Sequence, residues 1–235
     1  FTDCIHRDRA TGELRVTKVL SSDDAPIEGI RALLGLGPDD PLPPADVRMG
    51  TTLATNALLE RGGMPTVLVA NEGFADLTAI GDQTRPDLFA LSIERPAPLA
   101  CRTIETEGRL DSNGALLRHP DLERLRVALE EAASAGVTST AISLIHAYLD
   151  GSVETEIARL ARSLGFAHVS VSHEVSNELG LLGRTDTTVA NAYLTPLLTD
   201  YMEALERVLG RGRLRMMQSN GGLVDASAFI GRNAV

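Results

Sequence analysis

Val137-Thr138-Ser139-Thr140-Ala141-Ile142-Ser143-Leu144-Ile145-His146-Ala147, then Ser152 to Gly165, then His168-Val169-Ser170-Val171-Ser172, is the stretch that decides the class of this chain. The first run reads as a buried strand over 137–147. Ser152 opens a helix striped by Ile157, Leu160, Ala161 and Leu164, and Gly165 ends it. The third run is the next strand. A strand–helix–strand unit of this kind calls for a parallel pair with a right-handed crossover, so the class is α/β.

Flanking segments extend the pattern. Arg102 to Leu110 and Ala115 to Arg118 read as strands joined by the turn Asp111-Ser112-Asn113-Gly114. Pro120 starts a helix where its missing N–H costs nothing, with Leu122, Leu125, Leu129 and Ala132 at helical spacing and Gly136 at its end. Downstream, the polar stretch 177–188 leads to a helix capped near Thr195-Pro196 and carrying Leu197, Leu198, Tyr201, Leu205 and Leu209. Arg213 to Gln218 is a strand, and Ser219-Asn220-Gly221-Gly222 turns back into Leu223-Val224.

The N-terminal third begins as a hairpin, 1–6 and 13–21. A helix follows Asp23-Asp24-Ala25-Pro26, with Ile27, Ile30, Leu33 and Leu34 as its stripe and Gly35 or Gly37 as its stop. Asp46 to Met49 is a short strand, and Gly50-Thr51-Thr52 leads into a helix stopped by Gly62-Gly63. Pro65 to Ala70 is a buried strand, Phe74 to Ile80 is helical, and 82–98 is irregular. The order β-β-α-β-α-β-α opens as if a preceding strand had been cut away. Restoring that strand gives the order of a ribonuclease-H-like fold. The prediction is an α/β chain: a ribonuclease-H-like lobe, then an α/β segment holding the parallel βαβ unit.

Composition narrows the chemistry. The 235 residues carry 22 Lys+Arg against 32 Asp+Glu, a net charge of −10. That balance, with aromatics at 3%, argues against a nucleic-acid partner, which needs massed positive charge and stacking surface. Lys18 is the only lysine, so no G-x-x-x-x-G-K-[ST] phosphate loop exists. No apolar run approaches the ~20 residues of a membrane span. The two cysteines, Cys4 and Cys101, read as free thiols of a reducing cytoplasm. The five histidines form no H-x-x-x-H pair, and no G-x-S-x-G elbow occurs, so metalloprotease and ordinary hydrolase readings are weak.

Four short segments carry candidate chemistry, each beside a plainer use. Gly50-Thr51-Thr52-Leu53-Ala54-Thr55-Asn56 lies where a strand passes into a helix, the place where α/β sheets bind ligands; Thr51 or Thr52 could equally be a helix cap. Thr2-Asp3 faces Mg²⁺ or phosphate, or forms the solvent side of an edge strand. Arg184-Thr185-Asp186-Thr187-Thr188 offers an arginine for an anion, or Asp186 or a Thr as a helix N-cap. Ser219 to Gly222 is a hairpin turn or a backbone nest for an anion.

Taken together and in this order, these segments resemble the hydantoinase A/oxoprolinase family. The resemblance rests on Phe1-Thr2-Asp3, Lys18 to Ser21, Gly50-Thr51-Thr52-Leu53-Ala54-Thr55-Asn56-Ala57-Leu58-Leu59-Glu60-Arg61 and Gly73 to Asp76. It continues through Ile80-Gly81-Asp82-Gln83-Thr84-Arg85-Pro86, Arg184-Thr185 with Thr187-Thr188, Asn191 to Pro196, and Gln218 to Gly222. Two departures stand out. Met49 replaces a His that often precedes G-T-T, and Glu107-Gly108-Arg109 replaces an adjacent Glu-Arg.

The resemblance implies an actin/heat-shock-like ATPase fold using ATP and Mg²⁺. The implied chemistry is ATP-dependent hydrolysis of a cyclic amide, in which the ring carbonyl oxygen is phosphorylated and the imidate is then opened by water. Related members are acetone and acetophenone carboxylase-type subunits, and a third role is a non-catalytic module packed on a hydantoinase B-like partner. Carried over residue by residue, Thr51, Thr52 and Asn56 are catalytic. Thr2, Asp3, Ser219, Asn220, Gly221 and Gly222 bind the nucleotide, Asp3 the metal, and Arg184 and Thr185 the substrate. Residues 1–182 would be the family's N-terminal region and 183–235 the start of its core domain, with the oligomeric state left open.

The implied phosphate loops extend outside the chain at both ends, so it reads as a piece of a longer protein. The expectation is that these 235 residues alone do not hydrolyse ATP. Magnesium-dependent phosphate release above the no-protein rate would refute it.

Overall fold

The computed structural model describes residues 1–84, 87–89, 91–93, 95–210 and 212–234. Arg85 and Pro86, the end of the Ile80–Pro86 motif, therefore lie outside the described residues. The chain runs β1 (Thr2–Arg7), β2 (Leu14–Val19), α1 (Ala25–Leu34), β3 (Asp46–Met49), α2 (Leu53–Leu59), β4 (Thr66–Asn71) and the single turn α3 (Leu77–Ile80). There follow β5 (Arg102–Thr106), β6 (Arg109–Leu110), β7 (Leu116–Arg118), α4 (Leu122–Ser134), β8 (Ser139–Ile142), α5 (Ser152–Ser163) and β9 (His168–Val171). The single turn α6 (Ser172–Val175) leads to the long α7 (Leu181–Leu209), β10 (Arg213–Met217), β11 (Leu223–Asp225) and α8 (Gly231–Ala234).

Two compact units emerge, Phe1–Thr51 with Thr199–Phe229, and Thr52–Leu198 with Ile230–Val235. In the first, β1 and β2 pair antiparallel from Thr2↔Val19 to Arg7↔Leu14, and α1 packs on this hairpin. Gly29 permits the approach, because a Cβ there would run into Cys4 Sγ. Gly35 ends α1 in the left-handed conformation at φ 68°, its N–H donating to Ala32 and the following Leu36 N–H to Arg31. A second sheet, ordered β11-β10-β3, joins β10 parallel to β3 and antiparallel to β11.

The second unit holds the parallel sheet β5-β4-β8-β9. The βαβ unit predicted from the sequence is β8-α5-β9, with Ser139↔His168 to Ile142↔Val171 in parallel register. Every residue of β4 is buried, as a central strand covered on both faces requires. One face packs Val67, Val69 and Ile142 against Leu125, Leu129 and Ile157 of α4 and α5. The other packs Leu68, Ala70 and Ala141 against Val189 and Ala192 of α7.

Several boundaries differ from the sequence reading, each for a local reason. The strand expected over 137–147 is only β8, because Leu144 N–H donates to the Glu154 carboxyl and Ile145 N–H to Asn71 Oδ1 instead of continuing a ladder. The strand expected over 102–110 breaks after Thr106, whose hydroxyl takes Gly108 N–H while Asn71 takes Gly108 C=O. Asp121 rather than Pro120 begins α4, its carboxylate accepting from Glu123 and Arg124 N–H at 3.1 and 3.0 Å. Of the helix expected over 74–80, only α3 forms. The strands expected in one lobe also divide among sheets: β1, β3 and β4 belong to three different ones.

The largest correction concerns α7. The helix expected to be capped near Thr195-Pro196 begins at Leu181, and Pro196 lies inside it. An internal proline removes the N–H that residue 192 would receive, at a cost of about 3 kcal/mol. Here Ser139 Oγ donates to the Ala192 carbonyl at 2.7 Å, and Met64 N–H to the neighbouring Tyr193 carbonyl at 3.0 Å. The sheet supplies what the proline withholds. Ser139→Ala should therefore lower stability by about 1–3 kcal/mol, the cost of a buried unpaired carbonyl. Denaturant unfolding measures this, and an unchanged midpoint would remove Ser139 from the account of the tolerated proline.

Candidate functional site

Parallel pairing of β3 with β10 places Met49 beside Met216. The segments leaving their carboxyl ends, Gly50-Thr51 and Gln218 to Gly222, are consequently neighbours. A Cβ on Gly50 would stand 3.1 Å from Met217 Cε. Two of the sequence-predicted groups thus meet at one sheet edge of the first unit. The Ser219–Gly222 turn is closed by Gln218 N–H to Gly222 C=O, Gly221 N–H to Gln218 C=O and Gly222 N–H to Asn220 Oδ1. Gly221, at φ 83°, meets the left-handed demand of the turn. The amides of Gln218, Gly221 and Gly222 are thus engaged within the turn itself.

Thr2 and Asp3 lie at the open end of the β1–β2 hairpin, opposite the turn whose Arg9 touches Asp46 at the start of β3. Thr2 Oγ1 lies 3.3 Å from Ser21 Oγ, and Asp3 pairs with Lys18 at 3.1 Å. Both carboxylate and ammonium are largely exposed, so this pair is weak and exchangeable. No group of three or more His, Cys, Asp or Glu gathers among the described residues. Asp3 is thus a single exposed carboxylate held by Lys18, and no all-protein metal cage surrounds it among the described residues.

In the second unit, α2 buries Ala54 and Ala57 and leaves Thr52, Thr55, Asn56 and Leu59 exposed. Thr52 is the N-cap residue by position, yet its side chain makes no capping hydrogen bond. The helix accordingly presents Thr52, Thr55 and Asn56 toward solvent.

Arg184 and Thr185 behave in the opposite way. Arg184 is fully buried, donating from Nε to Ser172 Oγ at 3.0 Å and from its two terminal nitrogens to Glu178 C=O at 2.8 Å and Leu144 C=O at 2.6 Å. Its guanidinium also lies over the Tyr148 ring at 5.4 Å. Burial lowers its pKa, and the Glu154 charge pulls the other way. Thr185, also fully buried, shares a 2.8 Å hydrogen bond with Ser143 Oγ. The anion expected against Arg184 is thus replaced by protein carbonyls and a serine.

Glu154 completes this network without any exposed surface. Its oxygens accept from Leu144 N–H, Ser172 Oγ, His173 N–H and His173 Nδ1, the last at 2.6 Å. Nothing in the local sequence separated Glu154 from the other acidic residues of α5. Its one signal is position, on the helix's apolar side beside Val153, Ile157 and Ala158.

Three comparisons bear on this arrangement. The chain matches the model of the hydantoinase/oxoprolinase N-terminal region over residues 1–165 and that of hydantoinase/oxoprolinase over 184–235. An α/β chain with parallel sheets is the class, and the chain belongs to the hydantoinase/oxoprolinase family. It is 36% identical to a 5-oxoprolinase of Saccharomyces cerevisiae, over 100% of this chain and 22% of that protein. To the acetophenone carboxylase gamma subunit of Aromatoleum aromaticum it is 28% identical, over 82% and 29%. An ATP-dependent caprolactamase from Pseudomonas jessenii superposes with a TM-score of 0.81 at 25% identity, over 100% of this chain and 37% of that one. A nucleotide-free acetone carboxylase shares the fold, with a TM-score of 0.83 at 18% identity over 99% and 37%. The chain therefore spans about a fifth of the length of the 5-oxoprolinases it matches. No helix among the described residues is long and apolar enough to cross a membrane.

The imidazole of His173 gives this network a pH dependence. Its hydrogen bond to Glu154 raises its pKa against burial, and the charges of Glu154, Glu174 and Asp150 act in the same direction. A pKa higher in the folded than in the unfolded state stabilises fully below the unfolded value, near 6.5, and this stabilisation is lost as pH rises through the folded value. Melting temperature should fall between about pH 6 and 8, and His173→Gln should flatten the fall. Parallel profiles for the two proteins would contradict this.

Proposed function

We propose that this chain is part of an ATP-dependent enzyme that opens a cyclic amide after activating its ring carbonyl. The observation that carries the reading is 36% identity to a 5-oxoprolinase across the whole chain. The fold shared with an ATP-dependent caprolactamase supports it. A ring amide is a poor electrophile, and ATP, when bound, would supply the phosphoryl group that makes its oxygen a leaving group.

The chain's own residues bind and orient. Thr51, with Asn220 at the neighbouring strand end, would contact the nucleotide, with Thr2 close to its phosphates and Asp3 the single carboxylate for Mg²⁺. Thr52 and Asn56 would hydrogen-bond oxygen atoms that gain charge during transfer, a role for fixed dipoles rather than for a lysine. Arg184 and Thr185 would act as positioning groups, since their donors are already engaged inside the protein. The same reading carries an actin/heat-shock-type, ribonuclease-H-like ancestry for the N-terminal lobe followed by the α/β segment, a hydantoinase B-like partner, a cytoplasmic setting, and the change from N-terminal region to core domain near residue 183.

The 28% identity to an acetophenone carboxylase gamma subunit makes ketone carboxylation the competing activity. Phosphate release and product formation by the full-length enzyme containing this chain, with 5-oxoproline, hydantoin, and acetone plus bicarbonate, separate the two. The expected result is ATP-dependent ring opening with a ring substrate, falling by about 10²-fold in kcat/KM for Thr52→Ala. Turnover of the ketone alone, or Thr52→Ala at the wild-type rate, would overturn the assignment.

A further inference from the structure

The sheet β11-β10-β3 of the first unit has two unlike faces. Leu214 and Met216 of β10 are buried on one of them, and the alternate residues stand on the other. To this second face β3 gives Asp46 and Arg48, β10 gives Arg213, Arg215 and Met217, and β11 gives Leu223 and Asp225. Arg9, in the β1–β2 turn, reaches it at Asp46. Arg9, Arg48, Arg213, Met217, Leu223 and Asp225 are all exposed.

The charges on this face do not balance. Arg215 donates to both oxygens of Asp46 at 2.8 Å, and Arg9 and Arg48 approach the same carboxylate at 3.4 and 3.7 Å. Arg213 pairs with Asp225 at 3.1 Å. Four guanidiniums thus share two carboxylates, in a chain whose net charge is −10. Arg48 and Arg215 also stand directly opposite each other on adjacent strands, an unfavourable placement for like charges. Nε of Arg215 is buried and has no acceptor among the described residues. One row further along the strands, Met217 and Leu223 form an opposed apolar pair, 53% and 46% exposed.

We infer that this face docks an extended acidic segment of a partner protein, with carboxylates over Arg48 and Arg215 and an apolar side chain over Met217 and Leu223. The layout sets the chemistry. Alternate residues of an extended chain lie about 6.5 Å apart, which is also the step from the arginine row to the apolar row. A segment with Glu at one position and Leu two residues on therefore meets both rows. A guanidinium takes a carboxylate through a fork of N–H donors, and Arg9 and Arg48 keep donors beyond their shared contact with Asp46. A nucleic acid fits this face less well. It brings no apolar side chain to Met217 and Leu223, and the net charge of −10 repels a long polyanion. The inference stands apart from the ring-opening activity and uses none of its residues.

Fluorescence anisotropy of the full-length protein containing this chain tests it with the labelled peptide Glu-Ser-Glu-Ser-Leu. Companion probes carry Gln for both Glu or Ser for Leu, and a labelled oligothymidylate serves as a second polyanion. The expected result is saturable binding of the acidic peptide that weakens with added salt, is about tenfold or more weaker with Gln, and is weaker again than the parent with Ser for Leu. Arg48→Glu, a change at an exposed side chain, should weaken the acidic peptide by about tenfold or more and leave the melting temperature near wild type. Arg126→Glu, the same charge change on α4, should leave the affinity unaltered. Equal affinity for the Glu and Gln peptides, wild-type affinity in Arg48→Glu, or an equal loss in Arg126→Glu would overturn the assignment. So would oligothymidylate binding as tightly as the peptide, or no binding of the peptide.

Discussion

A glutamate side chain with no exposed surface must find a donor for each of its lone pairs, and the second unit is arranged around that demand. Glu154 draws the backbone of Leu144 away from the β8 ladder, receives Ser172 and His173 from the end of β9, and through Ser172 Oγ reaches Nε of Arg184. Three elements that diverge in sequence are thus tied at the carboxyl ends of two adjacent parallel strands. The tie leaves little room: a Cβ on Gly151 would collide with the His173 ring. Removing one member of such a network leaves another buried group unpaired, which is why it behaves as a unit.

Elements whose signals are local were legible in the sequence. The apolar run of β4, the stripe and glycine stop of α1, and the helix of the βαβ unit each need only their own residues to be read. The failures share one cause, a partner far away along the chain. Pro196 reads as a helix start because the usual rule for proline is local, whereas its tolerance inside α7 depends on Ser139 and Met64. β8 reads too long because Glu154 and Asn71, which divert its last amides, come from other elements. Thr106 and Asn71 break the strand expected over 102–110 in the same way.

Candidate chemistry was legible where the chain carries hydroxyls in excess of what a helix cap needs. Gly50 to Asn56 stood out for that reason, and Thr52 indeed leaves its capping bond unmade. Asp186 was hidden by the misplaced start of α7. At a helix N-terminus a carboxylate has a structural use, so an aspartate there asks for no further explanation. With the helix beginning at Leu181, the same residue lies within α7 as an exposed carboxylate, and the capping role disappears.

That contrast separates scaffold from site more sharply than residue type does. Arg184, Thr185 and Glu154 are the residues a chemist would first suspect, yet every one is buried with protein partners. Thr52, Asn56 and Asp186 are polar side chains without such partners among the described residues. Buried, fully paired groups belong to the scaffold, whereas exposed polar groups keep hydrogen-bonding capacity that water fills.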